Sequence, residues 1–301
     1  MGMLIDCHQH LWPEALVEAL RRRDTFPYLR DWTLYLAGEN PYQVDPAAHD
    51  VGRRRAAESG RVLLSLSSPL GIEHAPDGAD LIDVWHTSAL ELPDPFHLWA
   101  AASVHEPDPE ALARVLREDR VAGLQLPATA LGGPDAIVRL APLLDVLERS
   151  GKPLLVHPGP AAAEDGELPD WWPALVPYVA QMHRSWMAWH VAGRKLHPAL
   201  RIAFVALAGL APLHHERLAA RGGPVEPPDP NVFYETSSYR AAAIEALAGV
   251  VGPAAIVHGS DRPYAQPLDP AEFPPAYFTI NPQNLLRGYG YAVTESNQQV
   301  P

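Results

Sequence analysis

The sequence predicts an α/β fold, a (β/α)8 TIM barrel. Three observations predict it: eight short apolar segments, helical segments between most of them, and nearly continuous apolar residues within each segment. Continuous apolar strands are typical of parallel sheets that are buried on both faces. Eight such units favour a closed barrel over an open doubly wound sheet. The glycine-rich nucleotide-binding fingerprints that would favour an open sheet do not occur.

The boundaries of these elements follow from where the apolar runs begin and end. The strands are predicted at residues 3–7, 61–67, 96–104, 121–126, 153–157, 201–208, 231–236 and 255–259. Helices are predicted at residues 109–118, 137–150, 213–221 and 241–251. Pro109 suits the first turn of a helix, and Gly151 suits the end of one.

Two segments interrupt the alternation and are predicted to be insertions. The first insertion, at about residues 25–48, follows strand 1, and the second insertion, at about residues 159–177, follows strand 5. Both would emerge at the carboxyl-terminal mouth of the barrel, where loops build active sites, so both are candidate lids. The alternative is that they are surface loops without function. We expect residues 1–301 to form a single domain with a flexible tail at 291–301.

The composition of the chain limits the classes of molecule that it is expected to bind. The chain has 301 residues and a net charge of -13, which disfavours nucleic acid and anionic membranes as partners. No apolar stretch reaches the roughly 18–20 residues that a membrane span needs, and no secretory signal is apparent. The single cysteine, Cys7, fits a reducing compartment. We therefore expect a cytoplasmic protein that acts on a small molecule.

The strongest local signal is a pair of histidines, His8 and His10, at the end of the first predicted strand. Side chains two residues apart on a strand point to the same side, so the two imidazoles converge on one point. Such a pair suits a metal ion of the zinc type. Its position at the carboxyl end of strand 1 makes the pattern more specific than the spacing alone.

His157 and Asp261 follow the ends of the fifth and eighth predicted strands. A barrel brings all its strand ends to one rim, so both can join the histidine pair. Three imidazoles and one carboxylate form a mixed nitrogen and oxygen set with room for a water molecule. The alternatives without a metal are a histidine packed in the core at position 157 and a helix cap at position 261.

Four short motifs in the right order resemble the amidohydrolase superfamily, in the branch that includes aminocarboxymuconate-semialdehyde decarboxylase. They lie at residues 6–13, 156–158, 259–263 and 281–286. The resemblance implies a distorted barrel, one divalent metal ion (zinc, with manganese as the alternative), and Asp261 as both ligand and proton acceptor. It also suggests a homodimer. Strand 4 ends at Gln125 with no Lys or Glu to bridge a second metal, which favours a one-metal site.

One position departs from the pattern of these proteins. Their sixth strand usually ends in a histidine followed by a glycine-rich turn, and Ala206 occupies that position here. Alanine can neither transfer a proton nor polarise a substrate. Either the metal and Asp261 suffice, or another histidine substitutes, or catalysis is lost while binding persists.

Further side chains are candidates for substrate binding. They are Trp12, His183, His190, His214, Glu235 and Arg262. His183 and His190 share a helix face, and Arg262 could hold a carboxylate in a two-point fork. Packing, surface and salt-bridge roles are the alternatives for each of them.

These observations predict an enzyme. The leading hypothesis is a metal-dependent hydrolase that uses a metal-activated water to cleave an amide, ester or lactone bond in a small cyclic or aromatic substrate. The first alternative is a metal-dependent non-oxidative decarboxylase (carboxy-lyase) of a small unsaturated or aromatic acid. The others are a biosynthetic condensation or cyclase reaction and a non-catalytic metal-binding scaffold, both motivated by Ala206.

Overall fold

The structure is a computed structural model that describes residues 2–164, 166–224 and 226–289. The predicted tail at 291–301 lies outside the described residues. The strands in chain order are β1 (Ile5–Gln9), β2 (Tyr28–Arg30), β3 (Thr33–Tyr35), β4 (Tyr42–Gln43), β5 (Arg61–Leu64), β6 (Phe96–Ala100), β7 (Val121–Pro127), β8 (Leu154–His157), β9 (Ile202–Phe204), β10 (Val232–Glu235) and β11 (Ile256–Val257).

The helices surround the strands and alternate with most of them. They are α1 (Glu14–Arg21), α2 (Val51–Ala56), α3 (Gly78–Leu90), α4 (Pro109–Val115), α5 (Pro134–Ser150), α6 (Trp172–Leu175), α7 (Pro177–Ala188), α8 (Arg194–Leu196), α9 (His215–Ala220), α10 (Ala241–Val251) and α11 (Ile280–Arg287). Short 3-10 segments and one π-helical turn, Trp189–Gly193, complete the set. Gly151 ends α5 with a positive φ of 68°, which a glycine adopts without strain.

Eight of the strands form a parallel barrel in the order β1-β5-β6-β7-β8-β9-β10-β11. The first and last strands meet, because the Cys7 amide donates to the carbonyl of His258 at 2.9 Å. The amide of Asp261 likewise donates to the carbonyl of His8 at 2.8 Å. These bonds close the sheet, so the predicted (β/α)8 barrel is confirmed.

The core of the barrel explains why the strands read as continuous apolar runs. Residues of β8 and β9 are buried on both faces of the sheet, including Leu154, Leu155 and Phe204, which are each 0% exposed. The predicted strands overlap the observed ones, but most are longer than the observed strands. The sixth prediction, 201–208, overruns β9 because the apolar run continues into a left-handed turn.

The predicted insertions lie where expected. The first insertion contains the antiparallel sheet β2-β3-β4, which is separate from the barrel. The second insertion is mostly irregular up to α6 and leads into α7. Because the strands of the barrel are parallel, segments that follow β1 and β8 both emerge at its carboxyl-terminal end.

In the described part of the chain, no helix combines the length and apolar character that crossing a bilayer requires. The cytoplasmic location and the homodimer remain predictions from the sequence.

Candidate metal centre

Four side chains predicted from separate parts of the sequence come together at the carboxyl end of the barrel. They are His8, His10, His157 and Asp261, and their ligand atoms all lie within 4.8 Å of one another. The three imidazole rings meet edge to face, with centroids 4.8, 4.9 and 5.2 Å apart. The barrel explains the convergence, since β1, β8 and β11 deliver their ends to one rim.

The rings of His10 and His157 are fixed through their Nδ1 atoms. Nδ1 of His10 donates to the carbonyl oxygen of Ser65 at 2.9 Å, and Nδ1 of His157 donates to that of Pro158 at 2.9 Å. A carbonyl oxygen only accepts, so it places the proton on Nδ1 and leaves the lone pair of Nε2 free. Metal-binding histidines are commonly oriented in this way.

The ring of His8 faces a carboxylate through its Nδ1 atom, where the other two rings face a carbonyl group. Its Nδ1 lies 3.5 Å from Oε2 of Glu235, which is 0% exposed at the end of β10. Glu235 also accepts hydrogen bonds from the amide and hydroxyl groups of Ser237, both at 2.7 Å. The carboxylate is therefore held in place and favours the proton on Nδ1 of His8.

Asp261 reaches the cluster from a left-handed backbone conformation, with φ of 56°. Aspartate tolerates this region better than most residues. Two hydrogen bonds hold the turn, because the carbonyl of Asp261 accepts from the amides of Tyr264 at 2.8 Å and Ala265 at 3.1 Å. Oδ1 of Asp261 then lies 3.1 Å from Nε2 of His10.

Burial and neighbouring charge shift the titration of these groups. Burial lowers the pKa of His10, and it lowers that of His157 well below its ordinary value. Burial also acts to lower the pKa of His8, but the carboxylates of Glu235 and Asp261 outweigh it and raise that pKa. For Asp261, burial acts to raise the pKa, yet the adjacent histidines lower it.

The donor set fits a divalent metal ion. Nε2 of His8 and Nε2 of His10 lie 3.0 Å apart, and both are lone-pair atoms when Nδ1 carries the proton. Two lone pairs beside a carboxylate oxygen repel one another, and a cation between them removes that repulsion. Three imidazoles and one carboxylate are ligands that suit zinc and manganese.

Ala206 lies two residues beyond the end of β9, although the sequence predicts a strand that continues to residue 208. Its amide donates to Oε2 of Glu235 at 3.2 Å, and its methyl group is only partly buried. The backbone at this position therefore supports the carboxylate beside His8, while no side chain from position 206 offers an acid, a base or a ligand.

Two predicted substrate-binding residues contact other side chains of the protein. Trp12 is 1% exposed and stacks on His49 with ring centroids 4.5 Å apart, so it packs in the core. Nη1 of Arg262 lies 3.0 Å from Oε1 of Glu58. The structure thus gives both side chains the packing and salt-bridge contacts named as alternatives.

The three remaining candidate histidines contact one another or a tryptophan. His183 of α7 meets His214 with ring centroids 5.0 Å apart, and His214 is exposed. His190 is exposed too and packs against Trp186 with tilted rings whose centroids lie 4.0 Å apart. Within the described residues, none of the three makes a hydrogen bond or ring contact with the four-residue cluster.

The sequence analysis missed three side chains near the cluster. Tyr264 packs on His10 with ring centroids 5.3 Å apart and is 42% exposed, so it forms part of the wall of the mouth. Glu39 of the first insertion and Tyr178 of α7 are joined by a hydrogen bond. A signal for Tyr264 was available, since it lies three residues after Asp261, but nothing local links Glu39 to Tyr178.

Comparisons with known proteins bear on the fold. No protein-family model and no curated protein sequence matches the chain. Among solved structures, apo IDCase from Metarhizium anisopliae is similar with a TM-score of 0.69 and 15% identity, over 98% of this chain and 93% of that chain. The 5-carboxyvanillate decarboxylase LigW from Sphingomonas paucimobilis has a TM-score of 0.66 and 20% identity, over 95% and 99% of the two chains.

A third similar structure contains a metal ion. It is a dihydroxybenzoic acid decarboxylase from Polaromonas sp. JS666 with bound manganese and the inhibitor 2-nitroresorcinol. Its TM-score is 0.59 with 16% identity, over 95% of this chain and 97% of that chain. These neighbours agree with the resemblance to the amidohydrolase superfamily that the motifs suggest. At such low identity they establish the barrel fold alone.

Proposed function

We propose that this protein is a metal-dependent, non-oxidative decarboxylase of small aromatic carboxylic acids. The observation that carries the proposal is the convergence of three imidazoles and one carboxylate at the carboxyl end of the barrel. Similar barrels are named as decarboxylases of aromatic acids, and one of them binds manganese. This favours the decarboxylase alternative over the hydrolase hypothesis.

His8, His10, His157 and Asp261 would hold the ion. A divalent ion there would supply positive charge that stabilises the anion left when a carboxylate departs. The rings of the three histidines are oriented by Glu235, Ser65 and Pro158, so little reorganisation is needed on binding.

Asp261 is the group that would carry the proton. In the reaction, Asp261 would take up a proton from water and pass it to the ring carbon, the bond between that carbon and the carboxylate would break, and carbon dioxide would leave. Only one proton is required, so the absence of a histidine at position 206 is compatible with this chemistry. Tyr264 would cover one side of the substrate with its exposed ring face.

The test is turnover by metal-stripped protein reloaded with manganese or, separately, with zinc. A panel of hydroxybenzoates in deuterium oxide should give carbon dioxide and products with one deuterium at the vacated carbon. Incorporation of oxygen from labelled water, without carbon dioxide release, would refute the proposal and support a hydrolase acting on esters, amides or lactones.

The variant His157→Ala is the matched control for this experiment. It should lose both bound metal and turnover, because one of the four ligands is removed. Metal binding without turnover of any acid, ester, amide or lactone in the wild type would favour the scaffold hypothesis. Joining of two groups in one substrate, with loss of water, would favour the condensation hypothesis.

A further inference from the structure

The two insertions pack directly against each other over the mouth of the barrel. Gly38 has φ of 85° and lies so close to Ala161 that a Cβ atom would overlap its carbonyl oxygen. Nδ2 of Asn40 donates to Oδ1 of Asp170 at 3.1 Å. The insertions therefore form one continuous lid.

One hydrogen bond joins this lid to the start of α7, which packs beside the segment that follows His157. The hydroxyl of Tyr178 donates to Oε1 of Glu39 at 2.6 Å, and both side chains are half-buried. Burial raises the pKa of Tyr178, and the charges of Glu39, Tyr264 and Asp261 raise it further. Gln181, one turn further along α7, accepts from the amide of Gly159 at 2.8 Å and donates to the carbonyl of Pro160 at 3.0 Å, so the start of α7 packs against the segment that follows His157.

We propose that Glu39 and Tyr178 are the specificity-determining pair of this site, which selects aromatic monocarboxylates with a hydroxyl or amino group over aromatic dicarboxylates. The inference rests on the proposed function, since it takes one carboxylate to be bound at the metal. It adds which chemical groups the site accepts at the end of the substrate that lies away from the metal.

The reason is the kind of group that the pair presents. A carboxylate accepts hydrogen bonds and donates none, so Glu39 can receive a hydroxyl or amino proton from the substrate. A second carboxylate at that end would meet a like charge in a partly buried place, which weakens binding on the order of tenfold or more. The bond from Tyr178 fixes the position of the Glu39 carboxylate.

The arginines beside the cluster do not offset this charge. Arg54 is 7% exposed, and its guanidinium donates to the carbonyl of His10 at 2.7 Å and to Oε1 of Gln9 at 2.5 Å. Arg262 is engaged by Glu58 at 3.0 Å. Both cations are thus already paired within the protein, and neither is presented to a second substrate carboxylate.

Calorimetric binding to the manganese-loaded protein tests the inference without turnover. The probes are the three hydroxybenzoate isomers and the three benzenedicarboxylate isomers, compared pairwise at the same ring position. In at least one pair, the wild type should bind the hydroxybenzoate at least about tenfold more tightly. Glu39→Gln keeps the shape and removes the charge, so it should bring the two affinities in that pair to within about twofold.

Two further variants make the result specific. Tyr178→Phe keeps the charge of Glu39 but loses the bond that orients it, so hydroxybenzoate affinity should fall about fivefold while dicarboxylates remain excluded. Glu167→Gln removes the same charge from an exposed position in the second insertion and should preserve the wild-type ratio. Metal content, measured in each variant, should stay unchanged.

The outcomes separate the inference from the proposed function. Equal affinities in every wild-type pair, or a ratio that Glu39→Gln leaves unchanged, would overturn the specificity pair alone. Failure of every acid to bind the manganese-loaded wild type would overturn the proposed function together with it.

Discussion

At the scale of single residues, the metal centre depends on Glu235 as much as on the ligands. This carboxylate accepts from Ser237 and from the amide of Ala206, and it lies 3.5 Å from Nδ1 of His8. It therefore connects β10, the turn after β9 and the ring of His8. Because it is fully buried, its hydrogen bonds are not exchanged for bonds to water.

We predict that Glu235→Gln lowers metal affinity by roughly 10–100-fold, the usual effect of losing an outer partner of a ligand histidine. A glutamine amide cannot supply the negative charge that keeps the proton on Nδ1 of His8. Metal titration followed by elemental analysis measures the effect. Ser237→Ala is the control, since it removes one bond to the same carboxylate but leaves His8 its partner; an equal loss in both variants would count against the role of Glu235.

The metal ligands could be predicted from the sequence, but the contacts of the side chains around them could not. His8, His10, His157 and Asp261 stand at the ends of apolar strands, and a barrel brings such ends together. The partners of Trp12 and Arg262 are His49 and Glu58, which come from other parts of the chain. Local sequence carries no signal for such contacts, so the sequence leaves open whether each residue binds substrate or has a packing or salt-bridge role.

At the scale of elements, the turn after β9 is the most unusual feature. Residues 206–210 all have φ between 48° and 62°, and only Gly209 is a glycine. Residues with a side chain lose roughly 1–2 kcal/mol each in this conformation. The turn is nonetheless retained, with Leu207 and Ala208 both 0% exposed. Burial of these side chains offsets part of the strain.

We predict that Ala206→Gly stabilises the protein by about 0.5–1 kcal/mol. Relieving the strain of the left-handed backbone should outweigh the greater conformational entropy that glycine gives the unfolded chain. The half-buried methyl group that is lost contributes little to stability. Ala246→Gly, in the exposed interior of α10, should instead destabilise by about 1 kcal/mol. Denaturant unfolding measures both changes, and loss of stability in both variants would mean that the turn is unstrained.

The same turn shows why element boundaries were less predictable than element types. The apolar run from 201 to 208 predicts one long strand, but β9 ends at Phe204. The residues stay apolar across this point, but the backbone changes from an extended to a left-handed conformation. No residue pattern marks that change. By contrast, α10 was predicted with its observed bounds, because Gly252 ends it.

At the scale of the whole molecule, the metal centre joins the first, fifth and eighth strands of the barrel. Its residues lie near positions 10, 157 and 261, so a single ion would connect segments that are far apart in the chain. The seam between β11 and β1 carries the hydrogen bond from the Asp261 amide to the His8 carbonyl. A ligand pair therefore lies on the seam that closes the barrel, and binding there should couple to the stability of the whole fold.

We predict that metal binding raises the melting temperature. Free manganese at about 1,000 times its dissociation constant stabilises the native state by about 4 kcal/mol, which for a chain of this size corresponds to roughly 6 °C. Scanning calorimetry of chelator-treated protein, before and after manganese is added, measures the shift. The shift should vanish in His157→Ala, which lacks a ligand, and persist in His183→Ala, whose side chain contacts His214 outside the cluster. A shift of equal size in His157→Ala would mean that the metal binds elsewhere in the molecule. The chemistry proposed for the four-residue cluster would then be wrong.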